Sequence, residues 1–259
     1  MNLIDTHTHI YLDNFDEDRD NVIQNAIDNE VSTMLLPAID KSTFNAMKQL
    51  SNNYPKNCFS MIGLHPTSVK NDYENEMKFV ENELKNGSYI AVGEIGIDLY
   101  WDKSYFEEQK DAFRRQLQLA KLYNLPVAIH TRDSFNEIYP ILEEESGSNL
   151  KGVFHCFTGT ADDSKKIIDL GFLMGIGGII TFKNSGLDKV VENIPMEYLI
   201  LETDSPFLTP TPFRGKRNQS AYLTYIAKKL AEVKNISLEE VADITTKNAV
   251  ELFKLPLLK

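Results

Sequence analysis

The sequence is short of several things, and each shortage excludes a class. It has 2 cysteines in 259 residues, Cys58 and Cys156. They show neither CxxC nor zinc-finger spacing, so a disulfide framework and a cysteine-held structural zinc are both excluded. Each lies in an apolar run and reads as a buried free thiol. Positive charge is scarce: 27 Lys and Arg stand against 38 Asp and Glu, for a net charge of -11. A protein that coats nucleic acid with its whole surface is basic, so any such contact here must be local and metal-assisted. Long apolar runs are missing too. The stretch "FLMGIGGII" (172–180) is far too short to span a bilayer, and no basic-then-apolar signal pattern opens the chain. A cytoplasmic protein with no membrane partner is expected. No linker or low-complexity stretch divides the sequence, so a single domain over 1–259 is expected.

What is present is a repeat of apolar runs, each followed by a polar segment and most by a helical pattern. The runs are "LIDTHTH" (3–9), "TMLLPAI" (33–39), "CFSMIGLHP" (58–66), "IAVGEIGID" (90–98), "PVAIHTR" (126–132), "GVFHCF" (152–157), "FLMGIGG" (172–178) and "YLILETD" (198–204). Their near-continuous apolarity fits parallel strands buried on both faces. Helical spacing appears in Val22/Ile23/Ala26/Ile27, Met77/Val80/Leu84, Phe106/Phe113/Leu117/Ala120 and Ile138/Ile141/Leu142. Ile167 and Ile168 lead to a helix stopped at Gly171, and "SLEE" (237–240) reads as a capping box. Strand and helix alternating about eight times over this length predict a (β/α)₈ TIM barrel. A doubly wound open sheet ranks second, because the G-x-G-x-x-G turn after the first strand is missing.

All 5 histidines fall in these runs. On a strand, His7 and His9 project from one face with Asp5, while Ile4, Thr6, Thr8 and Ile10 face the other way. A lone HxH is more often a polar strand end than half of a metal site. The set changes that weighting. His7, His9 and His65 close their strands, Glu94 lies late in the fourth, His155 lies in the sixth, and His130 and Asp204 end the fifth and eighth. A barrel brings such ends to one face, where active sites are built. Four histidines and two carboxylates exceed what one tetrahedral zinc takes. They suit two divalent ions (Mg, Mn or Zn), about 3.5–4 Å apart, sharing a bridging carboxylate.

These residues, in this order, resemble the TatD family of metal-dependent deoxyribonucleases. The resemblance runs through "IDTHTH", "GLHP" (63–66), "AVGEIGIDLYW" (91–101), "LPVAIHTRDS" (125–134), "GVFHCFTG" (152–159), "TFKNS" (181–185), "LETDSPFLTP" (201–210) and "RGKRN" (214–218). It implies one metal held by His7, His9 and Asp204, a second held by His130 and His155, and Glu94 bridging the two. It also implies hydrolysis of DNA phosphodiesters from a 3′ end, single-stranded ends being the expected partner. The glutamate at the bridge, where many amidohydrolases use a carboxylated lysine, favours this branch. Two positions depart from the family pattern: Thr8 stands where cysteine is frequent, and Gln219–Ser220 where Glu–Pro is frequent.

In the expected reaction a water attacks phosphorus in line and Asp204 accepts its proton. His65 is not needed as a ligand and is a candidate to contact a phosphate oxygen or protonate the leaving oxygen. Arg132, Arg214, Lys216 and Arg217 are candidate phosphate contacts, since guanidinium geometry matches phosphate; a solvated basic loop is the rival reading for the last three. Glu202 is read as turned to the opposite strand face in a supporting part, with a third metal contact as the alternative. Trp101 either stacks on a base or packs a lid. Two other functions compete: a hydrolase of small amides, lactones or aminoacyl esters, and a non-catalytic binding barrel, against which the complete ligand set argues.

Overall fold

The computed structural model describes residues 2–145 and 150–256; the outer ends of the expected 1–259 domain, Met1 and residues 257–259, lie outside them. The described residues carry eight strands, β1 (Leu3–Asp5), β2 (Val31–Leu36), β3 (Cys58–Ser60), β4 (Val92–Asp98), β5 (Val127–Arg132), β6 (Gly152–Phe154), β7 (Leu173–Ile176) and β8 (Leu199–Leu201). All pair in parallel and in sequence order, as β1-β2-β3 and β4 through β8. Two bridges close the ring. Gly93 N–H donates to Ile62 O at 2.9 Å between β3 and β4. Past β8 and β1, Asp204 N–H donates to His7 O at 2.9 Å and His9 N–H to Ser205 O at 2.8 Å. The result is the (β/α)₈ barrel.

Helices follow the strands in turn: α1 (Arg19–Asp28), α2 (Lys41–Asn53), α3 (Tyr73–Asn86), α4 (Phe106–Tyr123), α5 (Phe135–Glu145), α6 (Ala161–Asp169), α7 (Leu187–Glu192) and α8 (Leu223–Lys234), with α9 (Leu238–Phe253) added at the end. The strand period of two sorts the apolar residues. Ile4, Leu35, Met61, Ala128, Val153 and Ile200 cluster with Ala249, Leu252 and Phe253 of α9. Their neighbours Leu3, Met34, Leu36, Val127, Ile129 and Leu199 pack with the inner faces of α1 to α8. The first set fills the barrel, and α9 closes its N-terminal end. Asn248 of α9 donates to Met196 O and Leu199 O, and Thr246 to Asn2 O, at the starts of β8 and β1. Among the described residues no helix is long and apolar enough to cross a membrane.

The strands are shorter than the apolar runs, and this corrects the expected placement of the histidines. β1, β3 and β8 stop at Asp5, Ser60 and Leu201, so His7, His9, His65 and Asp204 sit on loops above the sheet. Only His130 lies within a strand; His155 follows β6 directly. The chain turns out of the ladder at the mouth, with Cys156 at φ 48 and Asp204 at φ 55. The helical expectations hold, α1, α3 and α5 burying the predicted faces, but α2, α7 and α8 were not read. Ser237 caps α9 by accepting from Glu240 N–H; the two-way capping box occurs at Thr160 and Asp163 of α6. Both cysteines are free, Cys58 buried as expected and Cys156 only half-buried.

Candidate metal centre

Glu94 is the hub. Its Oε2 lies 3.1 Å from His7 Nε2 and 3.5 Å from His9 Nε2. Its Oε1 lies 3.1 Å from His65 Nε2, 2.9 Å from His130 Nδ1 and 2.9 Å from His155 Nε2. Asp204 Oδ1 completes the group at 3.5 Å from His9 Nε2 and 3.8 Å from His7 Nε2. The six expected ligands therefore converge, and His65 joins them. The local sequence explains how Glu94 arrives. The β4–β5 register slips between Gly93 and Ile95, a bulge that takes Glu94 out of the ladder and aims its side chain inward. Gly96, at φ 144, then lies so close to the His130 carbonyl that a Cβ there would collide with it.

Outside the hub, a set of partners fixes which ring nitrogen is free. Tyr11 O–H donates to Pro37 O at 2.6 Å, so its oxygen accepts His9 Nδ1–H at 3.0 Å. In the neutral ring His9 Nε2 then presents a lone pair to the centre. The buried carboxylate of Asp98 accepts His130 Nε2–H at 2.9 Å, which leaves His130 Nδ1 free. A carboxylate behind a ligand imidazole orients it and raises its basicity. Glu202 stands behind His155, Oε1 to Nδ1 at 3.5 Å, and also accepts Cys156 N–H at 2.5 Å. This corrects the expected placement of Glu202: residues 202 and 204 share strand parity, and Glu202 points into the barrel, fully buried. His65 differs from the others. Its Nδ1 accepts Thr67 N–H at 3.1 Å, so in the neutral ring Nε2 carries the hydrogen and donates toward Glu94.

Charge follows from this packing. Burial alone would raise Glu94, but His65, His155 and His7 hold its carboxyl well below the usual range. Burial disfavours charge on His9, yet Asp204 and Glu94 lift it to about 9. Burial lowers His7 and His65. Asp204 is held down despite burial, chiefly by its contact with His9. Oxygen and imidazole donors of this kind suit hard and borderline divalent cations. Among the described residues three sets have donor atoms within 4.8 Å of one another: His7–His9–Glu94, His7–His155–Asp204 and His65–Glu94–His130.

Above the donors opens a cavity of about 560 Å³ whose walls include Arg132, Trp101 and Phe207. The other basic residues lie outside that wall. Arg214 stacks on Phe182 at 3.6 Å and, like Lys216, is exposed. Arg217 is committed elsewhere: it pairs with Asp18 at 2.6 and 2.9 Å and donates to Asn14 O at 2.6 Å, which corrects its reading as a phosphate contact. The two departures from the family pattern meet in space. Thr8 Oγ1 lies 2.6 Å from Ser205 Oγ and accepts from Ser220 at 3.4 Å, facing away from the donors. Asp5 does not join the ligands; it accepts Thr203 N–H at 2.9 Å and Thr203 O–H at 2.6 Å, tying the start of the chain to the end of β8. Sequence reading missed Asp98, Tyr11 and Thr67. Their only signal was proximity, each lying within four residues of a proposed site residue.

A barrel gathering imidazoles and carboxylates at the C-terminal ends of its strands defines a class, the metal-dependent hydrolases. Comparison with known proteins narrows it. Residues 4–254 match the family model described as TatD related DNase. The chain is 39% identical to the uncharacterized metal-dependent hydrolase YabD of Bacillus subtilis, covering 98% of this chain and 99% of that one. It is 34% identical to the uncharacterized metal-dependent hydrolase YcfH of Escherichia coli, covering 98% and 97%. The crystal structure of YjjV, a TatD homolog from Escherichia coli, superposes with a TM-score of 0.92 at 30% identity, covering 98% of both chains. The chain belongs to the TatD family.

Proposed function

We propose that this metal-dependent hydrolase cleaves phosphodiester bonds of DNA, working inward from the 3′ end of an unpaired strand. The observation that carries the reading is Glu94, within 3.5 Å of all five imidazoles and flanked by Asp204, a donor set larger than one cation needs. His7, His9 and Asp204 would hold one ion, His130 and His155 the other, and Glu94 both. Bound there, two divalent cations would activate a water and neutralise charge gathering on the phosphoryl oxygens.

The chain's own residues do the rest. Asp204, ionised at neutral pH and at the mouth of the cavity, accepts the proton of the attacking water. His65, with Nε2–H directed into the centre, donates to the leaving or a non-bridging oxygen. Its tautomer favours this donor part over a ligand part. Arg132 takes a phosphate oxygen at the rim, and Arg214 and Lys216 meet phosphates further along the strand. The acidic remainder of the surface repels long duplexes, which suits engagement of one strand end. The test is digestion of a 3′-labelled and a 5′-labelled single strand with Mg, Mn or Zn, beside a chelator and small-ester controls. Ester cleavage without nuclease activity would overturn the reading.

A further inference from the structure

Single apolar side chains on a surface need no explanation, whereas a cluster of them at a cavity marks a binding surface. The described residues expose five: Tyr100, Trp101, Leu122, Tyr123 and Phe207. Leu122 and Tyr123 end α4, on the far side of the helical layer from the donors' loops. The other three surround one opening. Trp101 and Phe207 line the cavity above Glu94, exposed by 69% and 51%, and Phe207 lies 6.2 Å from the His9 ring. Tyr100 backs Trp101: Arg132 covers its face at 3.8 Å, and its ring meets Trp101 edge-on at 5.0 Å.

The turn that carries these rings is built. One Asp98 oxygen accepts Tyr100 N–H at 3.0 Å and Trp101 N–H at 3.1 Å, while the other accepts from His130. Gln109 in turn donates to and accepts from the Asp98 backbone. The carboxylate that orients a proposed ligand therefore also fixes the backbone turn from which the indole projects.

Building on the proposed function, we infer that Trp101 and Phe207 grip the unpaired base of the terminal nucleotide while Arg132 holds its phosphate. A flat apolar face beside a guanidinium is what a nucleotide can fill, base on ring and phosphate on fork. Among the described residues the cavity wall holds no amide side chain, and its carboxylates are engaged: Asp98 by the turn and His130, Glu94 and Asp204 by the imidazoles. The grip therefore takes all four bases alike. It also requires the terminal base to be unpaired, so blunt duplex ends must fray first.

Trp101 is the only tryptophan in the chain, so it reports on its own contact. The probes are a short oligothymidylate and the same strand with an abasic 3′-terminal nucleotide, first added to chelated enzyme. The intact strand is expected to quench the tryptophan emission and the abasic-ended strand to leave it unchanged. In the metal-loaded enzyme, Trp101→Ala and Phe207→Ala should each raise KM on the intact strand about tenfold, with Trp101→Phe restoring most of it. Wild type and variants should converge on the abasic-ended strand. Equal quenching by both strands, or an equal penalty on both substrates, overturns the grip while leaving the nuclease reading intact. A wild-type enzyme that neither binds nor cleaves either strand overturns both.

Discussion

At the N-terminal end of the barrel Ala128, Val153 and Ile200 meet Leu252 and Phe253 in a dry plug. Two residues further along each segment stand His130, still in β5, and His155 and Glu202, just past β6 and β8. One step of the strand period separates packing from chemistry. The contrast shows in satisfaction as well as polarity. Buried side-chain atoms without a hydrogen-bond partner among the described residues are five, and three of them, His7 Nδ1, His155 Nδ1 and Glu202 Oε2, belong to the upper layer. The plug carries none. A closed apolar end supplies stability that lets the open end hold like groups together, the usual division between stability and activity.

The comparison breaks first at Glu94. Glu94→Gln keeps the shape but removes the charge shared by both ions. Occupancy of both should fall, and hydrolysis should drop by roughly 10³-fold or more. Metal analysis, a melting curve and the nuclease assay on one preparation decide it, the protein remaining folded. The mirror experiment is Phe253→Ala in the plug. There the expected cost is about 3–5 kcal/mol of stability, seen as a lower urea midpoint, with kcat and metal content unchanged below the transition. A plug variant that loses metal before it loses fold would erase the distinction between the two ends.

Smaller effects sharpen it. Asp98→Asn offers an N–H where His130 needs an acceptor, which flips the ring's tautomer and takes the Nδ1 lone pair from the centre. Metal affinity should fall about 10–100-fold with little change in melting of the metal-free protein. Metal uptake should release a proton from His9, whose contacts lift it to about 9. Affinity then rises about tenfold per pH unit until that value, a slope that calorimetry in two buffers resolves. The metal-free protein behaves oppositely. A raised histidine contributes stability that is complete below its ordinary pKa near 6.5 and lost as pH climbs through about 9. The smallest effect lies on the loop after β8. Arg214→Ala or Lys216→Ala should lower the salt slope of single-strand binding by about 0.7 each, with metal content unaltered. An unchanged slope would make that loop a solvated one.

Alternation of apolar runs and helical patterns was enough for the barrel, because strands buried on both faces admit little but aliphatic residues. The convergence of the candidate donors was legible for a similar reason: five histidines, each late in an apolar run, have one place to meet. Their exact positions were not. Reading "LIDTHTH" as one strand put Asp5 beside the histidines, whereas β1 ends at Asp5 and that carboxylate turns to Thr203. Likewise nothing near Arg217 in sequence signals that Asp18, 199 residues away, holds it.

The sequence by itself determined the strand order, the faces of several helices and the residue types at the centre, since these depend on local period and on side-chain chemistry. Only the tertiary structure decided which nitrogen each imidazole offers, that Asp98 serves both His130 and the Trp101 turn, and that Glu202 faces inward. Those outcomes depend on hydrogen-bond partners supplied by other turns of the barrel, such as Pro37 behind Tyr11. No periodicity along one segment carries that information, because the direction of a buried donor is fixed by whatever acceptor the fold brings to it.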